Sequence, residues 1–347
     1  MSGWEPDVLP GYFQRTFALG PDPDGEGQLE ATLVRRGVPD TSAHGAVLMV
    51  HGFTDYFFNT ELADRFAARG IMSYALDLHK CGRSHRDGQT PHFTTDLTRY
   101  DAELERALDA IAADSEANVL VYGHSAGGLV VALWLDRRRR AATARKGVSG
   151  LILNSPWLDL HGHPLLRTPP TSAAIRALGR LCKRAVVRRP TENGYGATLH
   201  RDYHGEFDYD LTWKPVGGFP VRFGWIHAIR RGQARLHRGL DVGVPNLVLR
   251  SDRSVRDVSD PGQIEQIQRG DAVLDVAQIA RWAGCIGNRT TIAPIADAKH
   301  DVFLSVAEPR QQAFAELDLW LDWYLTHNLV NPSSRPKHSG ESTESES

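Results

Sequence analysis

Ser125 stands in Gly123-His-Ser-Ala-Gly127, directly after the apolar run Val119-Leu-Val-Tyr122 and directly before a helix-like stretch. A serine hydroxyl attacks a carbonyl usefully only when it is exposed, tightly placed and next to a base. Strand, Gly-x-Ser-x-Gly and helix in that order put it on a sharp turn, the nucleophile elbow. Gly123 and Gly127 suit such a turn, because side chains there would obstruct the close approach of strand and helix. Composition alone gives roughly 0.16 chance matches to the pentapeptide, so the flanking elements carry the signal.

A nucleophile of this kind needs a base, and ligands gather at the carboxyl ends of parallel strands. Among 15 histidines, His300 alone lies just past the last predicted strand and before the last predicted helix, in Asp297-Ala-Lys-His300-Asp301. It is the expected base. The chain order nucleophile, acid, histidine leaves two carboxylates in place to orient its ring. Asp271 is the assignment, in Asp271-Ala-Val-Leu-Asp275-Val; Asp252, two residues past the strand ending at Arg250, is the alternative. Asp275 reads as the cap of the helix that follows it. An acyl-transfer site also needs two backbone donors for the developing oxyanion. The amide of Ala126 is one, and the amide of Phe53, aimed inward by the turn at Gly52 after a buried strand, is the other.

The elements that must hold these groups alternate. Tyr12 to Leu19 and Gln28 to Arg36 read as a hairpin around Pro21-Asp-Pro-Asp-Gly25. Strands follow at Ala46 to Val50, Met72 to Leu78, Asn118 to Tyr122, Gly150 to Asn154, Val244 to Arg250 and Thr290 to Pro294. Between them lie helices around Glu61 to Arg69, through Tyr100, Leu104, Leu108 and Ile111, from Ser125 to Arg140, and over Val276 to Ala283. A final helix carries Phe314, Leu317, Leu321 and Tyr324 on one face, with Pro309 tolerated in its first turn. This is the α/β pattern of a mostly parallel sheet with helices on both faces.

The alternation stops near Pro156 and resumes at Val244. The intervening segment, rich in Pro, Gly, Trp and Arg, is far longer than a connecting loop and reads as an inserted cap. The expected organisation is therefore a core in two parts, residues 1–154 and 241–330, with a cap over 155–240 and a disordered, Ser/Glu-rich tail over 331–347. From Leu160 to Leu240 there are 14 Lys and Arg against 5 acids, so this segment is about +9 in a chain of net charge −2 and the remainder about −11. Two readings stay open: a surface that attracts anionic or membrane-borne substrates, or solvated helix faces. Trp157, Trp213, Phe219, Phe223 and Trp225 line an acyl pocket or form the cap's own small core.

His51-Gly52-Phe53, Ala75-Leu-Asp77-Leu-His-Lys-Cys-Gly82-Arg-Ser84, Gly123-His-Ser-Ala-Gly127-Gly and Lys299-His300-Asp301 together resemble the α/β-hydrolase superfamily, within it the monoacylglycerol lipase and lysophospholipase group whose members are often described as serine aminopeptidase-like. The resemblance covers roughly residues 45 to 155 and 244 to 325. Where that group shows Asp-x-x-Gly-x-Gly-x-Ser, this chain has Lys80 at the first glycine position. The resemblance implies an α/β-hydrolase fold and hydrolysis of carboxylic esters through Ser125, Asp271 and His300.

Other classes are less well served. A net charge of −2 gives no reason to expect nucleic acid, and no apolar run is long enough to span a membrane. The Arg137 to Arg140 run suits a helix C-terminus, and His79, Cys81 and His85 lack the spacing of a zinc site. Three scattered cysteines and the absence of a basic-then-apolar start point to the cytoplasm. The expected partner is a small ester or lipid, peripheral membrane contact remains open, and the chemistry requires no cofactor. Amide hydrolysis, acyl transfer, haloperoxidase or hydroxynitrile lyase chemistry, and a silent binder are the alternatives.

Overall fold

The computed structural model describes residues 3–40, 42–115, 118–141, 147–162, 164–190, 194–255 and 263–328; the expected disordered tail lies outside them. The chain opens with β1 (Glu5–Pro6), β2 (Tyr12–Pro21), β3 (Gln28–Arg36) and β4 (Gly45–Val50), followed by α1 (Thr60–Ala67), β5 (Ile71–Asp77) and α2 (Asp101–Asp114). Next come β6 (Val119–His124), α3 (Ala126–Arg140) and β7 (Val148–Asn154). The long interruption carries α4 (Pro169–Leu181), the short pair β8 (Val186–Arg188) and β9 (Val221–Arg222), and α5 (Phe223–Leu236). The chain then returns to the sheet with β10 (Asn246–Ser251), α6 (Ile264–Gln268), α7 (Val276–Ala283), β11 (Thr290–Ile295) and α8 (Ala307–Asn328).

Nine strands form one sheet in the order β1-β2-β3-β5-β4-β6-β7-β10-β11. The contacts from β5 through β11 are parallel, and the β2–β3 hairpin joins antiparallel at the β5 edge. Central strands such as Gly45–Val50 and Val119–His124 are buried throughout, as both faces are covered. Alternation within β4 divides the core: Ala46, Leu48 and Val50 pack with α2, α3, α5 and α7, while Val47 and Met49 pack with α1 and α8. The interruption is partly absorbed into this core. Trp157 and Trp225 join the large cluster containing α2 and α3, and Gly232 of α5 lies where a Cβ would meet Leu133 and Leu97. Trp213 instead packs with Tyr56 and Phe58 in a small separate cluster.

Lys80, at the departed glycine position, keeps a left-handed backbone (φ 63°) that glycine adopts freely and lysine rarely. Its side chain is fully buried, and its ammonium donates to Asp22 and Glu26 of the β2–β3 turn at 2.7 Å each. The same turn reaches the interruption: Glu26 pairs with Arg184, and Asp24 pairs with Lys183 and Arg99. Burial raises the Glu26 carboxyl, but Lys80, Thr90 and Arg184 outweigh it and hold the group at about 2, below the ordinary 4.5. Its contribution to stability is therefore complete above pH 4.5 and is lost as pH falls toward 2. Glu26→Gln should cost roughly 1.5–3 kcal/mol at neutral pH, and its melting temperature should fall less steeply than wild type between pH 4.5 and 2. Parallel melting curves for the two proteins across that range would contradict this account.

Candidate active site

The turn between β6 and α3 holds Ser125 at φ 52° and ψ −119°, a strained conformation for a residue with a side chain. Its backbone is pinned on both sides. The Ser125 amide donates to the Asn154 carbonyl at 3.0 Å, and the Ser125 carbonyl accepts from the Trp157 amide at 2.9 Å and the Gly128 amide at 3.1 Å. A Cβ on Gly127 would lie within 2.8 Å of the Val50 carbonyl oxygen and closer still to that of His51. One on Gly123 would lie 2.8 Å from the Gly128 Cα, and one on Gly52 3.0 Å from the Ser125 Cβ. Strand, helix and the loop after β4 thus touch backbone to backbone at the serine.

His300 Nε2 is 3.0 Å from Ser125 Oγ, and His300 Nδ1 is 2.9 Å from Asp271 Oδ2. An ionised carboxylate only accepts, so Nδ1 carries the proton and Nε2 presents its lone pair to the serine hydroxyl. All three side chains are buried. Asp271 Oδ1 accepts from the amides of Val273 and Leu274 at 2.8 and 2.7 Å, so its second oxygen is also satisfied. The structure brings together Ser125, His300 and Asp271, and it leaves Asp252 aside. Asp252 is exposed, beside Arg253 and accepting from the Asp297 amide. Backbone bonds explain the difference: Asp271 donates to the Arg253 carbonyl at 3.0 Å and accepts from the Val255 amide at 2.8 Å. These bonds return Asp271 to the carboxyl end of β10 despite its distance in sequence. Asp275 caps α7 through the Ala277 amide.

In the loop after β4, His51 donates from Nδ1 to the Gly52 carbonyl at 2.7 Å and accepts from the Leu78 amide at Nε2, 3.1 Å. Among the described residues neither the Phe53 nor the Ala126 amide is committed to an internal acceptor. Ala126 also opens α3, whose N-terminal dipole favours negative charge.

Several neighbours escaped sequence reasoning. Asn154 donates to Tyr122 at 2.8 Å and to Asp301 at 2.6 Å while its carbonyl holds the Ser125 amide. From the interruption, Tyr195 lies edge-on to the His300 ring, 5.6 Å between centroids, and its hydroxyl accepts from the Asp301 amide. Lys214 donates to the buried Asp55 at 2.6 Å. Burial raises the Asp55 carboxyl, but the Lys214 ammonium outweighs it and the group stays below its ordinary value. Only Asp55, two residues beyond Phe53, had a positional signal; Lys214 and Tyr195 had none. Lys299 donates to the Thr198 carbonyl at 2.6 Å, and burial pulls its amine down to about 8.

A cleft of about 180 Å³ opens at His300, lined by Phe53, Phe219, Tyr195, Arg188, Lys214 and His300 among others. The sequence assigned Phe219 either to an acyl pocket or to a separate cap core, and it lines the cleft; Trp157 and Trp225 belong instead to the main core. His79, Cys81 and His85 engage Glu103, His92 and the Gln89 carbonyl separately.

Because backbone atoms confront Gly127, Gly127→Ala should lower stability by about 1–3 kcal/mol. It should also slow labelling of Ser125 by a fluorophosphonate. Thermal melts and labelling time courses check both, and an unchanged labelling rate would show that the elbow tolerates the shift.

Residues 41–266 match the family model described as serine aminopeptidase, S33. The monoacylglycerol lipase of Mycolicibacterium smegmatis is 30% identical over 167 residues, 47% of this chain and 54% of that relative, so the match spans about half the relative's length. A soluble variant of the monoglyceride lipase from Saccharomyces cerevisiae, solved with a substrate analog, superposes with a TM-score of 0.58 at 17% identity over 92% of this chain and 94% of the other. The monoacylglycerol lipase of Paleococcus ferrophilus gives 0.56 at 15% identity over 90% and 99%. At these identities the two structures speak to the fold.

Proposed function

Because the chain belongs to the serine aminopeptidase S33 family of α/β-hydrolases, we propose that it hydrolyses carboxylic esters of the monoacylglycerol type through an acyl-enzyme on Ser125. One observation carries the reading, the unbroken relay from Ser125 Oγ through His300 to Asp271. His300 Nε2 removes the hydroxyl proton as Ser125 attacks the ester carbonyl. The imidazolium that forms is stabilised by the Asp271 carboxylate. As the carbonyl oxygen becomes an oxyanion, the amides of Phe53 and Ala126 donate to it, each worth about 10²-fold or more in rate. His300 then protonates the leaving alcohol, and a water activated by the same nitrogen releases the acyl group.

The cleft favours an ester over the amino-terminal peptide that the family's description suggests. Recognising a free α-ammonium in a closed site requires a carboxylate partner. Among the described residues lining the cleft the sole carboxylate is Asp55, which Lys214 occupies at 2.6 Å. A neutral ester makes no such demand. The Mycolicibacterium smegmatis relative, named as a monoacylglycerol lipase, agrees with this direction.

Turnover of nitrophenyl esters of graded chain length tests the assignment. Ser125→Ala should lose roughly 10⁶-fold in kcat and Asp271→Asn roughly 10⁴-fold, while Asp252→Asn stays near wild type. Full activity in Asp271→Asn would remove the acid, and turnover by Ser125→Ala would remove the mechanism. A preference for aminoacyl-nitroanilides over every ester would favour the peptidase.

A further inference from the structure

The cleft that has no spare carboxylate for an ammonium has cations to spare for an anion. Arg188, Arg189 and Lys214 line it, against the single carboxylate of Asp55 among the described residues. Lys214 is buried, and its ammonium donates to Asp55 at 2.6 Å, so that pair is neutral in sum. No second hydrogen-bond acceptor meets this ammonium among the described residues. Arg188 and Arg189 have no carboxylate partner among the described residues, and both oxygens of Asp271 are taken by His300 and by the Val273 and Leu274 amides. The wall of the cleft therefore carries an uncompensated positive charge in a chain of net charge −2.

Solvation suffices for an arginine on an outer helix face, such as Arg176 and Arg180 of α4, which do not line the cleft. Arg188 is held differently. It lies opposite Val221 of β9, and β9 runs directly into α5, whose Trp225 is packed in the main core. The Arg188 charge is also felt near the triad. Burial first, and the Arg188 guanidinium next, hold the His161 imidazole below its ordinary range, while Asp271 acts on the same ring in the opposite direction. His161 Nδ1 is buried with no hydrogen-bond partner among the described residues, and a polar atom of that kind is completed by a ligand or a water. Guanidinium groups present paired N–H donors that match a carboxylate or a phosphate. A cleft lined by one sign of charge gathers ligands of the other.

We propose that Arg188, Arg189 and the Lys214 ammonium form an anion-binding wall of this cleft, and that the ester hydrolysed here carries a carboxylate or a phosphate on one side of the scissile bond. The inference rests on the ester reading and narrows it to charged substrates. A neutral ester would leave the wall unused.

Matched esters place the charge on either side of the bond. Nitrophenyl glutarate against pentanoate, and suberate against octanoate, exchange a terminal methyl of the acyl part for a carboxylate. Butyryl glycerol phosphate against butyryl glycerol adds a phosphate to the alcohol part. In at least one pair the wild type should favour the charged member about tenfold in kcat/KM, through KM, and less as salt rises. Arg188→Gln with Arg189→Gln should remove roughly that tenfold, about threefold for each exposed arginine, and Arg188→Lys with Arg189→Lys should restore part of it. Arg176→Gln with Arg180→Gln removes the same charge outside the cleft and should leave the preference in place. Melting temperatures check that the variants fold, and calorimetric titration of the esters into Ser125→Ala reads binding without turnover. No preference for the charged member in any pair, or equal loss of preference in the two glutamine variants, would overturn the proposal. Tighter binding of a charged ester by Ser125→Ala, with no ester turned over by wild type, would sink the catalytic reading and leave the anion-binding wall.

Discussion

A carboxylate with no solvent exposure constrains the whole site. Asp271 is fully buried, and a charge there is tolerable only if each of its oxygens has a donor. One oxygen takes the amides of Val273 and Leu274; the other takes His300 Nδ1. That second bond fixes the histidine's tautomer and ring plane together. The free nitrogen is thereby aimed at Ser125, whose position is set by the backbone contacts of Gly52, Gly123 and Gly127. Alignment of the serine, the ring and the carboxylate follows from satisfying one desolvated charge against a turn that has no room to move.

The same logic binds the interruption to the sheet. Lys214 meets Asp55, Lys299 meets the Thr198 carbonyl, and the β2–β3 turn joins Lys80 of the core to Arg184 and Lys183. Each contact leaves a buried or half-buried charge stranded if it opens, so separating these parts costs more than apolar packing alone would suggest. Lys80 illustrates the exchange: a residue ill-suited to a left-handed backbone is retained where two carboxylates need a buried cation. Tyr195, set against His300 and the Asp301 amide, brings the interruption to within one ring of that histidine.

The excess positive charge of the interruption divides accordingly. Part of it answers acids of the core, as Lys183 does with Asp24, Arg184 with Glu26 and Lys214 with Asp55. Arg188 and Arg189, which have no carboxylate partner among the described residues, stand at the cleft. Composition reports the sum of these two populations. Only their places in the fold separate them.

Strand and helix periods made the sheet, its helices and the elbow legible, because burial on both faces writes long apolar runs and glycines where backbones touch. Ser125 and His300 were legible for a related reason, since each follows a strand end directly. The carboxylate that meets His300 was legible only as a choice between Asp252 and Asp271. Proximity to β10 favoured the first, whereas the backbone bonds from Asp271 to Arg253 and Val255 set the second beneath the histidine. Lys214, Tyr195 and Asn154 left no local mark, for their partners lie far away in sequence. A sequence records which way a segment prefers to fold and where a turn must be tight; which distant charge comes to rest against which is decided by packing, since desolvation acts on pairs of groups that only the folded chain brings together.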